Sequence, residues 1–210
     1  MITFDHVGLS AGALDLGLAA FAERTGLGLP PGGKHPLMGT HNCVTAMGPD
    51  RFLELIAVDP EAQAPDRPRW FGLDDLPPDS GLHARALLYR TDDMAAALAQ
   101  ARAAGIDLGE PLALSRGEMT WSFSVRADGA VPHGGAGPML LQWDRPEPHP
   151  AATMPDLGIR LIGARVTTPD PGPLRRLYEA WAPDMVPEIA EGPAALAVTL
   201  SLPDDREVTI

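Results

Sequence analysis

The stretch Ile2–Ser10, ITFDHVGLS, sets the reading of the whole chain. Ile2, Phe4, His6 and Gly8 fall on one side of an alternation, with Thr3, Asp5, Val7 and Leu9 on the other. This is the two-residue period of a half-buried strand, and it puts a histidine among apolar neighbours. Immediately downstream, Leu14, Leu18, Phe21 and Ala22 recur at helical spacing, and Gly26 supplies a C-terminal stop. A Pro/Gly-rich loop, Pro30 to Gly33, then leads through HPLMGTHN. Two short strands are expected at Asn42–Met47 and Arg51–Val58, around the turn residues Gly48, Pro49 and Asp50. Residues 2–58 thus read strand, helix, loop, strand, strand.

The same order restarts twice. Ala84–Arg90 reads as a strand, Met94–Ala104 as an Ala-rich helix closed by Gly105, and Met119–Ala127 and Pro138–Trp143 as further strands. A third start follows with a strand at Gly158–Thr168, a Pro-initiated helix at Pro171–Trp181, and strands near Ala195–Leu202 and Arg206–Ile210. Between the first two units, Asp59–Ser80 is rich in Pro and Asp but carries Trp70, Phe71 and Leu73, which marks a connector packed on the body. The expected organisation is a first βαβββ module at 1–58, a packed connector at 59–81, a second βαβββ module at 82–150 and a partial βαββ module at 151–210. One such unit exposes a face of a small sheet and must pair with another to bury it, so the fold class is α+β, with paired modules forming a curved-sheet cup.

Composition narrows the partners. Sixteen Lys and Arg against 28 Asp and Glu give a formal charge of −12, a field that repels nucleic acid and anionic membranes. The single cysteine, Cys43, excludes an internal disulfide and reads as inert packing. No apolar run approaches the roughly 18 residues of a membrane span, and the opening strand lacks a leader pattern, so a cytoplasmic protein is expected. Neither a dinucleotide loop nor a Walker A, HExxH or GxSxG motif is present. The GLGLPPGGK segment fails as a phosphate loop because two prolines remove backbone donors.

The strings FDHVGLS (4–10), GGKHPLMGTHN (32–42) and FLELIAVDP (52–60), in this order, resemble the glyoxalase-like domain of the vicinal oxygen chelate superfamily. TDDMAAALAQARAAGIDLG (91–109) and PMLLQWDRPEPHPA (138–151) extend the resemblance over nearly the whole chain. It implies paired βαβββ modules that commonly hold a divalent metal (Zn, Ni, Mn or Fe) with residues from the first and last strands of each module. Substrates chelate that metal through neighbouring oxygens. The family spans isomerases, lyases, extradiol dioxygenases, epimerases and metal-free ligand binders, and many relatives dimerise, which makes a homodimer an expectation.

Carried onto this sequence, His6 and Glu54 match the metal-ligand positions of the first module. An imidazole plus a carboxylate suits those ions, and a carboxylate between Phe52 and Ile56 needs a metal, a cation or several donors to be buried. The alternatives are a core histidine hydrogen-bonded through both nitrogens and a Glu that satisfies backbone groups or an arginine. His35 and His41 are candidates for a third ligand or for substrate binding, with Asn42 beside them as a further substrate contact. In the second and third modules the first-strand positions are Ala86 or Leu87 and Gly163 or Ala164, which cannot coordinate. At the last-strand positions stand Gln142, a weak oxygen donor or substrate contact, and Thr209. His133 is placed to overhang the cup and His149 reads as structural. Arg85, Arg116 and Arg126 could neutralise a substrate carboxylate through the guanidinium fork. No catalytic acid or base is assigned. Two functions follow: a metal-assisted isomerase or lyase (a dioxygenase less so) acting on a small oxygen-bearing molecule, or a metal-free protein that binds a small, partly apolar ligand.

Overall fold

In the computed structural model, which describes residues 1–210, each of the first two units is a strand, a helix and three strands. The first comprises β1 (Ile2–Ser10), α1 (Leu14–Thr25), β2 (Pro31–His35), β3 (Thr40–Ala46) and β4 (Phe52–Val58). The second comprises β5 (His83–Thr91), α2 (Met94–Ala104), β6 (Glu110–Arg116), β7 (Met119–Val125) and β8 (Met139–Trp143). Together they form one eight-stranded sheet in the order β2-β3-β4-β1-β5-β8-β7-β6. In each unit the first strand runs parallel to the last, β1 with β4 and β5 with β8, and the units join through the antiparallel pair β1–β5. Both helices stop where expected, at Gly26 and Gly105 in the left-handed conformation, and Asp93 caps α2 by accepting from the Ala96 N–H.

The third unit comprises β9 (Arg160–Thr168), α3 (Pro171–Trp181), β10 (Glu188–Glu191), β11 (Ala195–Ser201) and β12 (Glu207–Thr209), in a separate sheet ordered β10-β9-β11-β12. It carries one strand more than the sequence reading assigned, the four-residue β10, which is too short and too acidic at its ends to show alternation. Its first strand sits inside the sheet instead of pairing with its last, so it departs from the topology of the other two.

Two apolar clusters lie on opposite faces of the large sheet. The larger joins Phe4, Leu9, Leu53, Leu55, Leu87 and Tyr89 to the helices and to Leu174, Leu177, Tyr178, Trp181 and Val198 of the third unit. That unit therefore packs behind the sheet, with Trp181 Nε1 donating to the Ala97 carbonyl 3.3 Å away, and does not cover the cup. The smaller cluster lines the concave face: Ile56, Leu88, Trp121, Phe123, Met139 and Leu141, together with Trp70, Phe71 and Leu73 from the connector. The 70–75 turn of the connector plugs the floor of the cup. Gly8 makes room for it, since a Cβ there would lie 2.8 Å from the Phe71 ring.

Candidate functional site

The concave face leaves a cleft of about 510 Å³, counting the part open to solvent. Its wall is aromatic and apolar: Phe52, Trp70, Phe71, Trp121, Phe123, Leu141 and Trp143, with Met119 and Met154 towards the opening. The polar lining is His6, His35, Asn42 and Glu54, all from the first module, and Arg116 from the second.

Glu54 reaches the cleft because β4 alternates, sending Phe52, Glu54 and Ile56 inward while Leu53 and Leu55 join the rear core. His6 reaches it differently. The β1–β5 register slips between Phe4 and His6, so Asp5 is the extra residue of a bulge. The bulge cancels the alternation that would have set Asp5 and His6 on opposite faces, and their side chains meet, with His6 Nδ1 2.6 Å from Asp5 Oδ1. The imidazole stacks on Phe52 at a centroid separation of 4.0 Å and presents Nε2 3.5 Å from Glu54 Oε2. The other Glu54 oxygen accepts from Asn42 Nδ2 at 2.6 Å, and Asn42 Oδ1 accepts the Gly33 N–H at 2.7 Å, which fixes the amide orientation. Gly32 is required beneath it, because a Cβ there would lie 2.2 Å from Asn42 Oδ1.

Behind this corner lies a hub that the sequence did not reveal. Asp5, fully buried, also accepts from Trp143 Nε1 at 2.9 Å and faces His149 Nε2 at 3.0 Å, with Arg90 Nη1 at 3.5 Å. His149 Nδ1 accepts the Ala151 N–H, so its proton sits on Nε2 and is donated to Asp5. Burial alone would raise the Asp5 carboxyl pKa, but the hydrogen bonds from His149 and His6 hold it far below the usual range. Burial opposes the charge on His6 too, yet Asp5 and then Glu54 raise its pKa above the ordinary value. For Glu54 the penalty of burial is outweighed by His6, which lowers it. Both shifts run in the direction that favours a charged imidazole beside two carboxylates. His35 is the contrast: burial pulls it down to about 4, and its Nδ1 lies 3.1 Å from the Thr40 hydroxyl, which also accepts from Trp70 Nε1.

The structure brings His6, Glu54, Asn42 and His35 together and leaves three other candidates outside. His41 alternates with Asn42 on β3 and points away from the cleft, its buried Nε2 without a partner. Gln142 is one residue out of phase: Leu141 and Trp143 face the cleft, while Gln142 Oε1 accepts the Met94 N–H at the start of α2, 2.9 Å away. His133 bonds the Asp170 carbonyl at 2.8 Å and borders another hollow. In the second module the cup positions matching His6 and Glu54 are filled by Leu88 and Leu141. No three His, Cys, Asp or Glu side chains are grouped to hold an ion. His6 and Glu54 are two donors that already face Asp5, Asn42 and each other, fewer than the three protein ligands of an ordinary catalytic centre. The residues present do not make up the metal site that the fold family implies.

The architecture is a cup of paired βαβββ modules. The family model described as the glyoxalase-like domain matches residues 4–182, and the chain belongs to that family. Among solved structures, a hypothetical protein from Staphylococcus aureus is similar at 14% identity over 100% of this chain and 85% of its own, with a TM-score of 0.59. A methylmalonyl-CoA epimerase from Mycobacterium tuberculosis is 19% identical over 67% of this chain and 86% of its own, with a TM-score of 0.42. A methylmalonyl-CoA epimerase in complex with methylmalonyl-CoA and NH4+ is 19% identical over 71% and 98%, with a TM-score of 0.43. At these identities the likeness is one of fold. A comparison with curated proteins found no match. No helix is long and apolar enough to cross a membrane.

Proposed function

We propose that the cleft binds a small, largely apolar and flat molecule, with one polar group taken up at the His6–Glu54–Asn42 corner. The carrying observation is the segregation of the lining, in which aromatic side chains of both modules form the wall and the hydrogen-bonding groups of the first module converge at one end. Such a site orients a ligand by few polar contacts and binds it by buried area. Of the two functions expected from the sequence, binding without a complete protein-held metal centre is the better supported. Titration of the tryptophan fluorescence with 2-naphthamide tests it. Saturable quenching, weakened in Trp121→Ala and in Asn42→Ala, is the expected result; absence of saturation in the wild type overturns it.

The charge pattern of the corner favours a second reading, an isomerase that moves a proton on the bound molecule. Glu54 Oε2 would take a proton from a carbon next to a carbonyl, and the imidazolium Nε2–H of His6 would stabilise the developing oxyanion. Asp5 would keep His6 charged and in place. Solvent deuterium appearing at the α-carbon of 2-tetralone with the wild type, and not with Glu54→Gln, supports this reading. Equal exchange in both excludes it.

A further inference from the structure

We infer that Arg116 is the anchor for a carboxylate on the molecule that the cleft binds, which makes that molecule a small organic acid with an apolar body. The inference rests on the cleft being a ligand pocket and adds the class of ligand. Arg116 ends β6, one edge of the large sheet, and reaches across to β2, the opposite edge. It passes over Gly33 so closely that a Cβ there would lie 2.8 Å from Nη1 and 2.9 Å from Cδ. Nη1 is shielded from solvent and has no hydrogen-bond partner, although the side chain lines the cleft.

The chain has acids in excess, and Arg69, Arg90, Arg102, Arg126, Arg160 and Arg206 each take a carboxylate. Arg126, another candidate from the sequence, is tied to Asp107 and Asp128, and Arg85 donates to the carbonyls of Phe71 and Gly72. Arg116 takes none. The one carboxylate in the lining, Glu54, is held by Asn42 and faces His6. Arg116 is half-buried, but a guanidinium nitrogen shielded from solvent without an acceptor is unfavourable, and a carboxylate completes it through two parallel hydrogen bonds. Met119 and Trp121, paired with Arg116 and Leu114 in the β6–β7 register, would carry the adjoining apolar body.

Calorimetric titration of wild type, Arg116→Gln, Arg116→Lys and Gly33→Val with 2-naphthoate, 2-naphthamide and 2-naphthyl phosphate tests this. The wild type is expected to prefer the acid over the amide by about tenfold, the order of a charge-assisted hydrogen bond. Arg116→Gln should bring the acid down to the level of the amide, and Arg116→Lys should keep part of the preference. Gly33→Val, which displaces the guanidinium without removing it, should reduce it. An acid preference missing from the wild type or retained in Arg116→Gln overturns the inference. So does loss of the amide and the acid together in Arg116→Gln, or a preference for the phosphate over the carboxylate. If the amide fails to bind the wild type, the reading of the cleft itself falls, whatever Arg116 does.

Discussion

Asp5 and His149 are 144 positions apart in the chain, and their side chains meet at 3.0 Å in the interior. The contact ties the bulge in β1 to the segment that leaves β8, and Thr45 fastens that segment again by donating to the Pro155 carbonyl. Because Pro150 and Met154 from this segment border the cleft, Asp5 holds one wall of the cleft as well as His6. Both Asp5 oxygens act as acceptors, Oδ2 from Trp143 and His149 and Oδ1 towards His6. Asn at this position can keep only one end of that arrangement. Asp5→Asn is expected to destabilise the fold by about 3 kcal/mol, the usual order for breaking a buried charged cluster, read as a drop in the urea midpoint at unchanged slope. A midpoint within error of wild type would show that the hub is dispensable.

The acid limb of stability should carry the signature of His35. Its folded pKa lies at about 4, below the ordinary value of 6.5, so the unfolded chain takes up the proton first. Stability is therefore full above pH 6.5 and declines as the pH falls from there towards 4, by on the order of 3 kcal/mol. His35→Gln removes this dependence, and its unfolding free energy should fall less between pH 7 and 4. His6, whose pKa is raised, acts in the opposite sense: its contribution is complete below pH 6.5 and is lost as the pH climbs through its folded value. Parallel profiles for wild type and His35→Gln would contradict the burial of a neutral imidazole.

Elemental analysis by mass spectrometry, on protein purified without an affinity tag or chelator, should find Zn, Ni, Mn and Fe well below one equivalent. Glu54→Gln should leave those amounts unchanged. The ground is the donor count, with Leu88 and Leu141 standing where the second module would have to contribute ligands. One equivalent of a metal that disappears in Glu54→Gln would return the metal-assisted isomerase or lyase to first place.

Cys43 should be inert. Its side chain packs in the rear core and burial pushes the thiol pKa up, so little thiolate forms near neutral pH. A chromogenic disulfide reagent should label it slowly in the folded protein and rapidly in urea. Equal rates would mean that β3 opens readily.

The fold was legible because its signal is repeated. Alternation in Ile2–Ser10, the helical spacing closed by Gly26 and Gly105, and the two restarts lie in local sequence, and each marks an element that forms. Three strands were missed: PGGKH in β2 has no apolar alternation and β10 spans four residues, whereas EPLALSR in β6 alternates only through Leu112 and Leu114 and went unread. In the cleft, His6 and Glu54 were singled out from their matched positions, and His35 and Asn42 from the polar loop beside them; all four line it. Asp5 was hidden because a bulge arises from the pairing of β1 with β5, which no local pattern records. Gln142 lies one residue out of phase with the cleft, since at a period of two a shift of one exchanges cleft for exterior. His149, flanked by prolines, gave no sign of its partner far back in the chain.

The strand order leaves β2 and β6 as the borders of the large sheet, and the contact of Arg116 with Gly33 brings those borders together. The smaller sheet ends in β10 and β12, four and three residues long, which offer little ladder to extend. The borders of the twelve-stranded chain are thus two edge strands whose ends share one side-chain contact, and two strands too short to offer much ladder.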